Sequence, residues 1–586
     1  MSDAGRTLFT RQSSGLVREV SVANALWFNT SAFIGGTLGG AYGIAVLAGV
    51  PVVALGIVTN WSVVAFVVGA FCILLALIFA SLTTVMPRSG GDYVFTSRIV
   101  PKVGPFLGWM ESWLLAFASI ALLQFETALT LRGIQMEGKI IEIGTGSSLL
   151  GGANSWFTDG STGDVTGVPG MIAGLIVLAV VAFVVLQPTK TFHRIVSTLT
   201  IIGVVGWALM AIFGLLFFDA NSFATNLPNV TGGITVDQLA QAATTAGLTG
   251  TSFDFGPVNG TTWPFFLLAS AMLFQFIGFQ YSAYISGEVR GNVTRGILVA
   301  VIGALALAVL MNSIYAEMLP RRLGLDANTG WAAAFWGYVG NPPGLPLGQP
   351  NYFQILGVVS RPDLWPIWAI VGGASTLFPF LLMPVYVIFI SRMALAWSLD
   401  RQVPEWLGAV SERLRAPANA IVATLAMAVI FLLFSNFAIL KAIGLGFLAP
   451  SADPALDGKL NLVASAWFTI LASSLSWIMP GINALIAGRT RPDLVKDAPW
   501  RGALPWIGLV WLIFAVTLYW FAGLGPIINT LSNPNTTDPL AYLNGSGVTF
   551  VAIVVVIGIG WYVIQAFRNR ARGVQTELMY QMLPPD

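Results

Sequence analysis

The chain has 586 residues, of which 56% are hydrophobic and 9% are charged, and its formal net charge is +2. Soluble domains carry about a quarter charged residues, so this composition, with a mean hydropathy of +0.79, excludes a soluble globular protein and indicates a membrane protein. The small net charge gives no support to nucleic-acid binding. The single His and single Cys leave no metal-ligand or nucleophile constellation, so we expect no enzyme, no metal and no cofactor.

The hydrophobic segments predict an all-α integral membrane protein. A bilayer core about 30 Å thick needs about 20 apolar residues in a helix, and by that length the chain has about 12 transmembrane helices. A polar segment, 1–21, precedes the first of them, and that span is too long for a signal-peptide core, so we expect no cleaved leader. The predicted spans are 22–50, 53–85, 105–131, 169–187, 192–218, 263–287, 296–319, 365–398, 418–438, 460–487, 503–524 and 547–567.

The distribution of basic residues predicts the orientation. Lys and Arg are retained on the cytoplasmic side of short loops, and most of the 28 basic residues fall there if the amino-terminal tail is cytoplasmic. With an even number of spans, the carboxy-terminal tail 568–586 is cytoplasmic as well, in a multi-pass protein of the plasma membrane. The long loops are then extracellular, at about 132–168, 219–262, 320–364 and 522–546.

Ionisable residues inside spans are functional candidates because inserting each costs about 2.5–3.5 kcal/mol. Glu111 and Glu317 lie near span ends, where they can snorkel, and are interpreted as structural. Glu126 lies deeper in span three; it either bonds a neighbouring helix or belongs to a proton or substrate route. His193, at the start of span five, is interpreted as an interfacial basic residue, and Cys72 as packing.

Two spans contain an interruption near their middle. Span one has Gly35-Gly36-Thr37, and span six has the run FQFIGFQ from Phe274 to Gln280. Glycine weakens a helix by about 1 kcal/mol and lets a ligand reach the backbone, although close helix packing is an alternative for span one. Backbone groups freed at such breaks can bind both charged ends of a zwitterion. Spans one and six correspond in two five-helix halves, 22–218 and 263–490, so the paired breaks predict a transport site.

Three separated motifs point to one family. Together they resemble the amino acid, polyamine and organocation transporter superfamily. The loop after span two resembles its P-x-S-G-G-x-Y pattern, the FIGFQ run and the segment Glu288-Val289-Arg290 resemble F-x-G-x-E and E-V-K, and the residues after span eight resemble R-x-x-x-A-x-x-x-D-x-x-x-P. The matching residues are Pro87, Ser89, Gly90, Gly91, Tyr93, Arg98, Gly104, Phe106, Gly108 and Trp109 in the first motif, and Arg392, Ala396, Asp400 and Pro404 in the third.

The resemblance implies a fold and a set of functional residues. The fold is a LeuT-type five-plus-five inverted repeat with helices 1 and 6 broken at mid-membrane, followed by two extra helices in 503–567. The implied substrate-binding residues are Gly35, Gly36, Thr37, Phe274, Gln275, Ile277 and Gly278, with Phe274 closing over the substrate. The implied gating residues are Ser89, Gly90, Gly91, Tyr93 and Glu288.

Three departures from the family pattern bear on coupling. Thr37 replaces a second glycine, Gln280 replaces a carboxylate found in many members, and Thr200 stands where several proton-coupled members have Lys. H⁺ and Na⁺ both remain candidate coupling ions, and the missing Lys favours sodium coupling or plain exchange. The sequence therefore predicts a secondary active transporter for amino acids or related amines, by symport or exchange, with a neutral substrate slightly favoured. A non-transporting amino acid sensor is the alternative, and the short tails argue against it.

Overall fold

The computed structural model describes residues 14–34, 61–147, 156–157, 167–245, 255–256, 258, 260–261, 263–276, 278–326, 352–434, 473–533, 543 and 548–584. Most of the described chain is helical; its one sheet is the two-stranded pairing of β1 (Val410–Ser411) with β2 (Ala416–Pro417). The α-helices are α1 Val22–Ile34, α2 Trp61–Val85, α3 Asp92–Ile99, α4 Gly104–Thr145, α5 Gly167–Val185, α6 Thr189–Phe217, α7 Ala220–Thr231, α8 Val236–Thr245, α9 Pro264–Gln275, α10 Val293–Ser313, α11 Leu319–Arg322, α12 Tyr352–Ser360, α13 Trp365–Leu399, α14 Ala418–Phe434, α15 Ser474–Thr490, α16 Pro492–Val495, α17 Leu504–Tyr519, α18 Gly525–Ser532, α19 Val548–Ala571 and α20 Thr576–Met579.

Several of these helices can cross a bilayer. Within the described ranges, eight are long and apolar enough: Ser62–Val85, Gly104–Thr145, Val168–Val185, Thr189–Phe217, Val293–Met311, Pro362–Leu399, Leu504–Ser532 and Val548–Ala571. Large apolar side chains such as Phe66, Phe183, Ile370 and Phe567 are exposed on them, as expected for surfaces that contact lipid. The prediction of a multi-pass, all-α membrane protein is confirmed, whereas the count of about 12 spans stays a prediction.

Some predicted loops contain helices. Helix α4 continues to Thr145, past the predicted end at 131, because Met136 and Ile140 extend its buried face. It ends at Gly146, whose φ of 68° forms a left-handed cap. The predicted loop 219–262 holds α7 and α8, and the loop 320–364 holds α12. These helices are shorter than a bilayer crossing, so the length of an apolar segment does not predict them.

The long helices α4 and α13 pack along each other at the centre of the bundle, and α1 packs against α6, α10 and α13. Both described ends of the chain lie at one face of this bundle. Val20 N donates to Glu288 O at 2.9 Å, and Leu16 and Pro584 line the same cavity of about 220 Å³. We call this end of the bundle the terminal face.

Candidate functional site

Helix α9 ends at Gln275, and after a turn the chain resumes as a 3-10 helix, Tyr281–Glu288. Gly278 lies in the turn with φ of +94°, a conformation that L side chains rarely adopt. A Cβ at this position would lie 2.4 Å from the Cβ of Ala32 on α1. Two features of the break therefore require glycine at position 278: the positive φ of the backbone and the close approach of α1.

Helix α1 is joined to the segment after the break by a reciprocal pair of hydrogen bonds. Asn29 Nδ2 donates to Ser282 Oγ at 3.0 Å, and Ser282 N donates to Asn29 Oδ1 at 2.7 Å. Both residues are fully buried. A buried amide that is satisfied by one backbone and one side-chain group fixes the relative position of the two helices.

The residues predicted to bind substrate are described only in part. Gly35, Gly36, Thr37 and Ile277 lie outside the described residues, as do the side chains of Phe274 and Gln275. Gly278 is described, and its backbone lies at the crossing of α1 with the break in helix six. Substrate binding by this set stays a prediction.

The glycine pair after α2 passes between two other elements at the terminal face. Gly90 and Gly91 have φ of +116° and +52°. A Cβ on Gly90 would lie 2.7 Å from the Cβ of Ala396, and one on Gly91 would lie 2.5 Å from the ring of Tyr284. Gly90 N also donates to Tyr284 O at 3.0 Å. The loop thus packs closely between α13 and the 3-10 helix, where no side chain fits.

Two buried ion pairs hold the same three motifs together. Arg392 Nε and Nη2 each donate to Glu288 at 2.8 Å, and both side chains are 1% exposed. Arg98 donates to both carboxylate oxygens of Asp400, at 2.5 and 2.7 Å, and Tyr93 Oη donates to the same carboxylate at 2.8 Å. Burial and the charge of Asp400 raise the pKa of Tyr93, which keeps its hydroxyl a proton donor. Tyr93, Gly90, Gly91 and Glu288, predicted from separate motifs, therefore lie in one cluster; Ser89 packs beside it against Gly287.

The carboxy-terminal segment covers this cluster, which the sequence did not predict. The guanidinium of Arg98 lies 5.0 Å from the centre of the Tyr580 ring, and Gln402 Nε2 donates to Tyr580 Oη at 2.7 Å. Arg88 Nε donates to Pro584 O at 2.7 Å. The sequence did contain a signal for this contact, a tyrosine among apolar residues in an otherwise polar tail. The tail acts as a cover over the paired charges.

We expect Tyr580→Ala to loosen this cover. The variant removes a cation–π contact and a buried hydrogen bond, which together contribute about 2 kcal/mol. The readout is labelling of a Ser89→Cys variant by a membrane-impermeant thiol reagent, because Ser89 and Pro584 line the same cavity and the native Cys72 is buried. Labelling should become several-fold faster in Tyr580→Ala. The labelling rate of Tyr580→Phe, which keeps the ring, should lie between those of the parent and Tyr580→Ala. Equal labelling in Tyr580→Ala and in the parent would show that the tail covers nothing.

The structure also places the remaining candidates. Thr200 is buried and donates to Val196 O at 2.7 Å within its own helix, and Gln280 is 4% exposed. Glu111 is fully buried, so the expectation that it snorkels is wrong; its Oε2 accepts from Thr96 Oγ1 at 2.6 Å. His193, expected at the interface, is buried against the rings of Phe28 and Phe192. Both errors arise because neighbouring helices cover these positions.

Glu126 is 1% exposed on α4, and its Oε2 makes no hydrogen bond to the residues that the structure describes. The side chain of Glu317 is outside those residues. An unpaired carboxyl group in the middle of the bundle is expensive to retain, which favours the functional alternative for Glu126.

Comparison with known proteins identifies the family. A model of the amino acid permease family matches residues 26–556. The chain belongs to the amino acid permease family. The permease is therefore a transporter and not an enzyme, and the resemblance carried by the three motifs is confirmed. No protein with a curated description matches the chain.

Two solved structures, both mutants of a manganese transporter of Eremococcus coleocola, are similar to the permease at 14% identity. One covers 97% of this chain and 99% of its own with a TM-score of 0.50; for the other the values are 94%, 95% and 0.49. The likeness of the first shows the fold alone.

Proposed function

We propose that the permease is a secondary active transporter that moves amino acids or related amines by alternating access. Its central site lies between helices 1 and 6, which we propose to be broken members of a five-plus-five inverted repeat. The single observation that carries the proposal is the close approach of Gly278 to Ala32. There the unwound backbone after α9 lies against α1 in the middle of the bundle. Manganese is not part of the proposal, because the solved structures share only the fold.

The chemistry of the break suits a zwitterion. The last turn of α9 and the first turn of the 3-10 helix leave carbonyl and amide groups without partners in their own helices. Helix amino ends attract a carboxylate and helix carboxyl ends attract an ammonium group, so one break can hold both charged ends of an amino acid. None of the residues predicted to bind substrate carries a charge, which slightly favours a substrate with a neutral side chain.

The closed terminal face supports alternating access. We propose that this face is cytoplasmic, in the plasma membrane, and that the Glu288–Arg392 and Arg98–Asp400 pairs form its gate. Both pairs are buried and link the loop after α2, the 3-10 helix and α13. Opening the gate would hydrate all four charges, which offsets part of the cost of separating them.

The proposal is tested by uptake of a radiolabelled amino acid mixture into proteoliposomes. Vesicles preloaded with unlabelled amino acids should accumulate label several-fold above protein-free vesicles, because exchange needs no ion gradient. Parallel vesicles with an inward proton gradient or an inward sodium gradient assign the coupling ion. Binding of amino acid by folded protein with no uptake under any of these conditions would favour the sensor instead.

A further inference from the structure

Six ionisable side chains form a buried series from the terminal face to the middle of the bundle. Each is at most 1% exposed. They come from α3, from α4, from the 3-10 helix and from α13, so no single element accounts for the series. In spatial order they are Glu111, Asp92, Tyr284, Tyr281, Tyr386 and Glu126.

One hydrogen bond, two ring contacts and electrostatic interactions connect the series. Tyr284 Oη donates to Asp92 Oδ2, and Asp92 interacts electrostatically with Glu111. The Tyr281 ring packs edge-on at 5.9 Å from Tyr284 and at 5.7 Å from Tyr386. The Tyr281, Tyr386 and Glu126 side chains interact electrostatically, although neither tyrosine hydroxyl makes a hydrogen bond to a described residue.

The three carboxyl groups of the series lack counter-charges, unlike the gate carboxylates. Among the described residues none of the three forms an ion pair, and one oxygen of each makes no hydrogen bond: Asp92 Oδ1, Glu111 Oε1 and Glu126 Oε2. A buried carboxylate without a counter-charge costs several kcal/mol, so such groups hold a proton. Burial raises the pKa of Asp92 to about 7, although the hydrogen bond from Tyr284 opposes the shift.

Two arginines on the elements of the series are already paired. Arg98 on α3 is held by Asp400, and Arg392 on α13 is held by Glu288. His193 on α6 is packed against the rings of Phe28 and Phe192. Tyr93, also on α3, donates to Asp400. Arg98 and Arg392 are therefore engaged by the gate carboxylates and not by Asp92, Glu111 or Glu126.

We propose that these six side chains form a proton route between Glu126 at the membrane centre and the Asp92–Glu111 pair at the terminal face, which makes the permease proton-coupled. This inference rests on the proposed transport function. In each transfer one O–H bond breaks and one forms: the Tyr284 hydroxyl gives its proton to Asp92 and takes one from the Tyr281 hydroxyl through a water molecule, because no hydrogen bond joins the two hydroxyls directly. No tyrosinate accumulates, and the net result is one proton moved between carboxyl groups. Proton coupling through this route does not need the Lys that several proton-coupled members of the superfamily have at the position of Thr200.

The test compares proton-driven accumulation with exchange in the same proteoliposomes. For one proton per substrate, an inward gradient of one pH unit should raise accumulation by about tenfold. Tyr284→Phe keeps the ring that packs on Gly91 but removes the hydroxyl; Asp92→Asn and Glu126→Gln remove the carboxyl groups. All three variants should lose the pH-driven increase and keep exchange of internal for external amino acid. Asp237→Asn, at an exposed carboxyl group on α8, is the matched control and should behave as the parent.

The outcomes separate the two proposals. Exchange without a response to the proton gradient, or a full response in Tyr284→Phe, overturns the proton route and leaves the transport function in place. Absence of exchange in the parent overturns the transport function. A substrate-free measurement then decides the route: infrared difference spectra between about pH 5 and about pH 9 should show a protonated-carboxyl band that Asp92→Asn removes. An unchanged band in that variant overturns the inference.

Discussion

We expect Arg392→Met to lower the free energy of unfolding of the permease by about 3 kcal/mol, because it leaves Glu288 buried without a counter-charge. Both side chains are 1% exposed, and the two hydrogen bonds between them are 2.8 Å long. Arg392 Nη1 also donates to Ser391 Oγ at 3.0 Å, so the substitution removes a third bond. Reversible denaturation in mixed detergent micelles measures the change.

A second variant separates the charge from the packing. The double variant Glu288→Leu with Arg392→Met replaces both partners by apolar groups. Such a replacement of a buried ion pair changes the free energy of unfolding little. We expect the double variant to recover most of the lost stability. Its rate of amino acid exchange should nevertheless stay below the parent rate, because apolar side chains gain no hydration when the proposed gate opens. A double variant that exchanges at the parent rate would show that this pair is structural only.

The sequence predicted the features of the fold that depend on neighbouring residues and missed those that depend on residues distant in sequence. Helix positions follow from local hydropathy, so α13 and α14 begin within one residue of the predicted spans. The break near Gly278 was also predictable, because a glycine in an apolar run is a local signal. The extension of α4 to Thr145 was missed because its buried face depends on helices that pack against it.

The candidate site was predicted where motifs mark it and missed where it depends on distant pairs. Tyr93, Gly90 and Glu288 carry recognisable patterns. Asp92 and Tyr284, in contrast, are 192 residues apart in sequence, and only the packing of the 3-10 helix against α3 brings them together. Asp92 is the variable position within the glycine–tyrosine motif, so no pattern drew attention to it.

We expect Gly278→Ala to reduce amino acid exchange at least about tenfold, which corresponds to about 1.4 kcal/mol. The new Cβ would lie 2.4 Å from Ala32 Cβ, closer than any real contact, so α1 or the break must move. In addition, an L residue at φ of +94° is strained by about 1–2 kcal/mol. Both costs fall at the proposed substrate site, so binding measured by isothermal calorimetry should weaken along with exchange.

The double variant Ala32→Gly with Gly278→Ala identifies the cause. It removes the clash and leaves the backbone strain, so exchange should recover in part and remain below the parent. Gly373→Ala is the matched control, since a Cβ there, on the exposed side of α13, meets nothing within 4 Å and should leave exchange unchanged. Parent-like exchange in Gly278→Ala would mean that the backbone at the break does not approach α1 in the transporting protein. In that case the substrate site would have to lie elsewhere in the bundle.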